Sequence, residues 1–152
     1  MTDRLSVRSA AASSGVPLVE IDEDGIRRLV HGFYAEVVKD DLIGPVFNRQ
    51  IEADRWPEHL EKMCAFWSSV LLRTGRYGGR PLPPHLRLAS ELSDAHFERW
   101  LGLFRETARR ELDETAARGV VAAAERIAHS FRLALAFHRG EDTTRIEPLP
   151  AG

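Results

Sequence analysis

Six histidines and a single cysteine hold most of the metal-binding capacity of this chain, and their spacing decides what chemistry they could support. A thermolysin-like zinc site needs His-Glu-x-x-His, two imidazoles one helical turn apart. No two histidines here stand four residues apart. A di-iron centre in a helical bundle needs Glu-x-x-His pairs, and no glutamate is followed by a histidine three residues later. The lone Cys64 excludes a cysteine-based zinc knuckle and an intrachain disulfide, and it fits a reducing cytoplasm. Protein-only metal sites are therefore poorly supported. One histidine has an unusual setting. In Leu82-Pro83-Pro84-His85-Leu86-Arg87-Leu88, His85 directly follows two prolines. Each proline holds φ at about −65° and lacks an N–H, and Pro84 suits the first turn of a helix. Taken alone, the stretch also reads as a surface turn whose histidine is incidental.

The elements that would position such a residue are helical. Ile26, Leu29, Val30, Phe33 and Val37 follow the spacing of one helix face, with Asp22 or Asp24 as cap. Gly44-Pro45 is expected to end that helix, leaving VFNRQI as at most a short helical turn. A long helix is expected from near Asp54, with Pro57 in its first turn and Gly75 at its end. Its apolar face is Trp56, Leu60, Met63, Phe66, Trp67, Val70 and Leu71. RTGRYGGRPLPP is the one long irregular stretch of the interior. Ser93 caps a segment bearing Phe97, Trp100, Leu101, Phe104 and Ala108. The last helix runs from about Glu114 to Phe137 with Val120, Val121, Ala124, Ile127, Phe131, Ala134 and Leu135 inward. Nothing alternates with period two, so the fold class is all-α.

With 152 residues the chain makes one domain. Residues 1–20 read as a mobile Ser/Ala-rich arm without a signal-peptide core, 21–139 as the folded body, and 140–152 as a polar tail. A net charge of −2 with interspersed signs offers no footprint for nucleic acid, and no apolar run approaches the ~20 residues that span a bilayer. A soluble cytoplasmic protein is expected.

Long helices around a loop-borne histidine can form a plain bundle or a sandwich around a cofactor. Haem iron needs one well-held axial imidazole, because the porphyrin supplies the other four nitrogens. It also needs polar residues among apolar neighbours on the opposite helices. Tyr34 stands one step beyond the core stripe, His59 borders the apolar face of its helix, and Trp100 lies inside the stripe Phe97, Trp100, Leu101, Phe104. Each has a plainer alternative: a core-edge tyrosine, a solvated first-turn histidine and a core tryptophan.

The order FYAEV, DLIGPVFN, WPEHLEKMCAFWSSVLL, YGGRPLPPHLRL, HFERWLGLF resembles the truncated haemoglobins, specifically their group III. The resemblance runs from about Ile26 to His138. It rests on the Phe-Tyr pair, the Gly-Pro-x-Phe-Asn corner, Trp-x-x-His, the Phe-Trp pair and Tyr-x-Gly-x-Pro-x-x-x-His, met in family order. It implies a truncated globin fold, a two-over-two helical sandwich around one b-type haem. His85 is then the proximal iron ligand, and Tyr34, His59 and Trp100 are the distal, ligand-binding set. Phe33, Phe47, Met63, Phe66 and Trp100 become cofactor-contacting candidates, with Leu60, Trp67, Leu72, Phe97 and Phe104 as wall or core. Lys62, Arg80 and Arg87 become partners for the haem propionates, or else ordinary solvated charges; Tyr77 and Arg80 contact haem or brace the loop. His96 shares a face with Trp100 at the proximal edge, while His31, His129 and His138 read as structural or exposed.

The function this implies is binding of dioxygen and other diatomic ligands such as nitric oxide and carbon monoxide. Donors in a dry pocket stabilise the negative charge that dioxygen acquires on binding, which suits tight capture better than release. The alternatives are a redox enzyme, a nitric oxide dioxygenase served by an external reductase or a peroxidase-like activity, and a haem-based sensor. No output domain follows the globin segment, which counts against the sensor. Gly-Gly hinges of other truncated-haemoglobin groups are absent from the early helices; Gly78-Gly79 lies in the proximal loop. Ligand access is therefore expected past a mobile His59, with gating by its protonation at mildly acid pH.

Overall fold

A computed structural model describes residues 19–149, and among these no residue is in a strand. Six α-helices follow in order: α1 Glu23–Val37, α2 Gly44–Gln50, α3 Trp56–Leu72, α4 Leu82–Leu86, α5 Asp94–Glu111 and α6 Glu114–His138. Short 3₁₀ turns at Ala53–Arg55 and Thr143–Arg145 precede α3 and follow α6. Helix α1 packs on α3 and on α5, α5 packs on α6, and α6 reaches back to α3 and α4. This is the two-over-two arrangement expected. The core between the layers is built from Ile26, Leu29, Val30, Phe33, Leu71, Leu101, Phe104 and Val120, all essentially inaccessible to solvent. Of the expected arm, all but Val19 and Glu20 lies outside the described residues.

Local chemistry sets the helix ends. Asp22 caps α1 by accepting from the Gly25 N–H at 2.7 Å, and Asp113 caps α6 by accepting from Ala116 at 2.8 Å. Gly44-Pro45 does not end the first helix, as the sequence suggested; α1 has already stopped at Val37, and Gly44-Pro45 opens α2. The intervening turn is organised by Asp40, whose carboxylate accepts from the N–H groups of Leu42 and Ile43. A Cβ at position 44 would lie 2.9 Å from the Val37 carbonyl oxygen, so glycine lets α2 start directly against the end of α1. At the far end of α3 the expected stop, Gly75, comes two residues late. Arg73 takes the left-handed conformation at φ 58°, turning the chain so that the Thr74 hydroxyl meets the buried Ser68 hydroxyl at 2.7 Å.

The tail after α6 is docked, a feature its polar composition did not reveal. Arg132, only 7 % exposed, donates to both carboxylate oxygens of Asp94 at 2.9 and 3.0 Å and to the Glu147 carbonyl at 2.8 Å. Leu149 packs against the core. The Arg132 hydrogen bond, then its charge and that of Arg139, hold the Asp94 carboxyl below the usual carboxylate range against the opposing effect of burial. The stabilisation is therefore present above that range and lost as pH falls through the lowered value. Asp94→Ala, leaving a buried guanidinium short of acceptors, should lower unfolding free energy by about 1–2 kcal/mol, discounted because the carboxylate side is largely exposed. Urea unfolding at neutral pH checks this, and an unchanged midpoint would show the pair to be idle.

Candidate functional site

Helix α4 is five residues long, and its two prolines present His85 with little conformational freedom. The imidazole Nδ1 lies 2.7 Å from the Pro81 carbonyl oxygen. A carbonyl can only accept, so Nδ1 carries the proton and Nε2 is left with a free lone pair. The ring packs against Phe131 of α6 at 4.6 Å between centroids. Burial lowers the His85 pKa, with the Pro81 bond opposing, and so favours the neutral, ligating form.

His85 lines a cavity of about 1170 Å³ that extends to Tyr34, His59 and Trp100. That is large beside the roughly 300–1000 Å³ of ordinary small-molecule sites. Phe47, Met63, Phe66, Trp67 and Phe97 line it too, as do Lys62, Tyr77, Arg80, Arg87 and His96. Phe33, also a cofactor-contacting candidate, is not part of this lining; it is in edge contact with Tyr34 at 4.9 Å, Trp100 at 5.6 Å and Phe104 at 5.3 Å. Leu60, Leu72 and Phe104 are likewise core residues outside the lining. Phe131, Ile127 and Ala128 of α6 complete the proximal wall. Ile127 and Phe131 belong to the inward stripe expected from the spacing and Ala128 does not; the contact of Phe131 with His85 was not legible. His31 and His138 are exposed, and His129 is half-buried away from the cavity.

The distal residues form an aromatic cluster. Tyr34, 7 % exposed, contacts Phe47, Trp56 and His59 at 5.7, 5.7 and 5.2 Å between ring centroids. Trp56, three residues before His59 on α3, meets it edge-on at 5.4 Å. His59 is thus held between two rings rather than loosely placed in a first turn. Burial, with a smaller contribution from the charge of Lys62, pushes its pKa down to about 4. Burial raises the Tyr34 phenol well above its ordinary value, keeping it a donor.

The lining fits a haem. His59 Nε2 is buried without a hydrogen-bond partner, and neither the Tyr34 hydroxyl nor the Trp100 indole N–H has one among the described residues. Five cations (Arg55, Lys62, Arg76, Arg80, Arg87) and two carboxylates (Glu52, Glu58) line the cavity. Arg76 is neutralised by Glu23 at 2.6 Å. The remaining excess of two positive charges matches the two carboxylates of haem. No group of three or more His, Cys, Asp or Glu among the described residues is placed to hold a metal ion unaided.

Fold and site together define a globin-type haem protein. The chain is 36 % identical over 114 residues to the group 3 truncated hemoglobin ctb of Campylobacter jejuni, covering 74 % of this chain and 89 % of that one. It also superposes on the crystal structure of a group III truncated hemoglobin from Campylobacter jejuni with a TM-score of 0.71 at 36 % identity, over 76 % of this chain and 91 % of the other. No family model matches the chain. At this identity and coverage the chain belongs to the group III truncated haemoglobins.

Proposed function

We propose that the chain holds a b-type haem through His85 Nε2 and binds dioxygen and other diatomic ligands beside Tyr34, His59 and Trp100. The observation that carries this reading is the cavity itself, lined by a tautomer-fixed imidazole and by three polar groups without partners among the described residues. Haem, when bound, supplies an iron position able to take a diatomic ligand. The protein fixes the His85 ring through Pro81, excludes water with Phe47, Met63, Phe66 and Phe97, and offers hydrogen-bond donors where charge develops. Lys62, Arg80 and Arg87 have no ion-pair partner among the described residues and serve the propionates. Three donors suit tight capture or redox turnover with an external reductase better than free release. The buried free thiol of Cys64 suits a cytoplasmic setting. Among the described residues no helix is long and apolar enough to cross a membrane. An absorption spectrum of the purified protein, with pyridine haemochrome analysis, tests the proposal: a haem b signature is expected, and a chain that takes up no haem would sink it.

The lowered His59 pKa changes the expected pH response. With its pKa pushed down to about 4 rather than left in the mildly acid range, His59 is expected to stay neutral from mildly acid pH upward. Carbon monoxide association should be flat across about pH 5 to 8, the ordinary histidine range. His59→Ala should still raise the association rate, because the ring blocks the route. For the haem-free protein the sign is definite. The unfolded imidazole gains its proton first, so stability is whole above the ordinary histidine pKa and falls as pH drops towards about 4, by about 1–2 kcal/mol once solvent screening of this half-buried ring is discounted. His59→Leu should remove that slope from acid unfolding curves. A pH-dependent association rate above pH 5, abolished in His59→Ala, would show that the ring titrates and gates after all.

A further inference from the structure

Helix α5 opens on a capping box in which the third position holds a histidine, where glutamate or glutamine is usual. The Ser93 backbone N–H donates to His96 Nδ1 at 3.2 Å, and the Ser93 hydroxyl lies 2.9 Å from the same nitrogen. A backbone N–H can only donate, so Nδ1 is the acceptor and the ring proton resides on Nε2. Nδ1 faces the cap, so Nε2–H is on the other side of the ring. His96 also lines the cavity, in company with Arg87, Leu92 and Phe97 and one turn before Trp100. A glutamate would cap the helix equally well but would bring a carboxylate to the cavity wall. Histidine caps and still leaves an N–H to give.

We propose that His96 is a cofactor-anchoring residue whose Nε2–H donates to a carboxylate of the haem. The inference rests on reading the cavity as the haem site. Lys62, Arg80 and Arg87 are flexible, exposed charges, whereas His96 is a donor aimed by a helix cap. It therefore fixes which way the carboxylate, and with it the porphyrin plane, is held.

His96→Glu separates the two roles, because it keeps the capping box and replaces the donor by an anion. Haem loss is followed by transfer to excess apomyoglobin, using both natural haem and its dimethyl ester, which lacks free carboxylates. His96→Glu should release natural haem roughly tenfold faster, the scale of one charge-assisted hydrogen bond. The ester should leave variant and parent at the same rate, and His96→Gln, which can accept and donate, should stay close to the parent. Urea unfolding of the haem-free proteins should show the His96→Glu fold intact. If glutamate costs the fold, the ratio of natural-haem to ester release in His96→Ala makes the same test, since loss of the cap acts on both alike. Parent-like release of natural haem from His96→Glu, or equal acceleration with the ester, overturns the proposal. A parent protein that retains neither form would instead bring down the haem-site reading beneath it.

Discussion

His85→Ala is expected to yield a folded protein that has lost its haem. The side chain is half-buried and contributes little to the main core, which lies between α1, α3, α5 and α6. Its removal spares the cavity walls but takes away the one imidazole whose Nε2 is held free by a bond from Nδ1 to a backbone carbonyl. Even loss of the group behind a metal ligand typically costs 10–100-fold in affinity, so loss of the ligand itself should cost more than roughly that. Haem content per chain, read from the absorption spectrum after gel filtration, should fall accordingly. The vacated space beside Phe131 can accept free imidazole, and adding it should restore part of the haem band. A fully loaded variant with an unchanged axial spectrum would remove His85 from the site.

How much of this was legible beforehand depends on whether a residue's role is local. The stripes of α1, α3, α5 and α6 follow from helical spacing, and the structure buries that of α1 whole; in α3 only Trp67 and Leu71 of the stripe are fully buried, and Phe97, Trp100, Ile127 and Phe131 of α5 and α6 stay half-buried at the cavity. His85 stood out because two prolines restrict the backbone before it, a property of neighbours in sequence. Boundaries were harder. Gly44-Pro45 reads equally as a stop or a start, and only the close approach to the Val37 carbonyl shows it to be a start. Tertiary partners were hidden altogether. Nothing in the spacing of Asp94, Arg132 and Glu147 announces that they meet. Phe33 reads both as core stripe and as cofactor contact, because a phenylalanine beside Tyr34 can face either cavity or core. Its contacts with Phe104 and Trp100 decide for the core. The setting of His59 was hidden for a related reason: first-turn spacing suggests a mobile ring and does not announce the contacts with Trp56 and Tyr34.

Dioxygen release from the ferrous protein should accelerate at least about tenfold in Tyr34→Phe, the loss expected for one hydrogen bond to a charge-bearing ligand. The change is clean because the ring, not the hydroxyl, makes the packing contacts. Phe33, Phe47, Trp56 and His59 all meet Tyr34 through ring edges or faces, and phenylalanine keeps them. Burial holds the phenol protonated across the accessible pH range, so the effect should not vary with pH. Trp100→Phe should also speed release, but less cleanly. The indole stacks on Phe104 at 5.5 Å and meets Phe33 edge-on, so a smaller ring leaves a void as well as a missing N–H. Carbon monoxide, which gathers less negative charge, provides the control: its release should change far less than that of dioxygen in Tyr34→Phe. Combining the two substitutions should fall short of the product of their separate effects, because both donors address one ligand and remain linked through Phe33. Stopped-flow release with a carbon monoxide chase measures all three variants in one design. Parent-like dioxygen release from both single variants would mean that neither donor reaches the ligand, and His59 with its unpartnered Nε2 would be the donor left to carry the stabilisation.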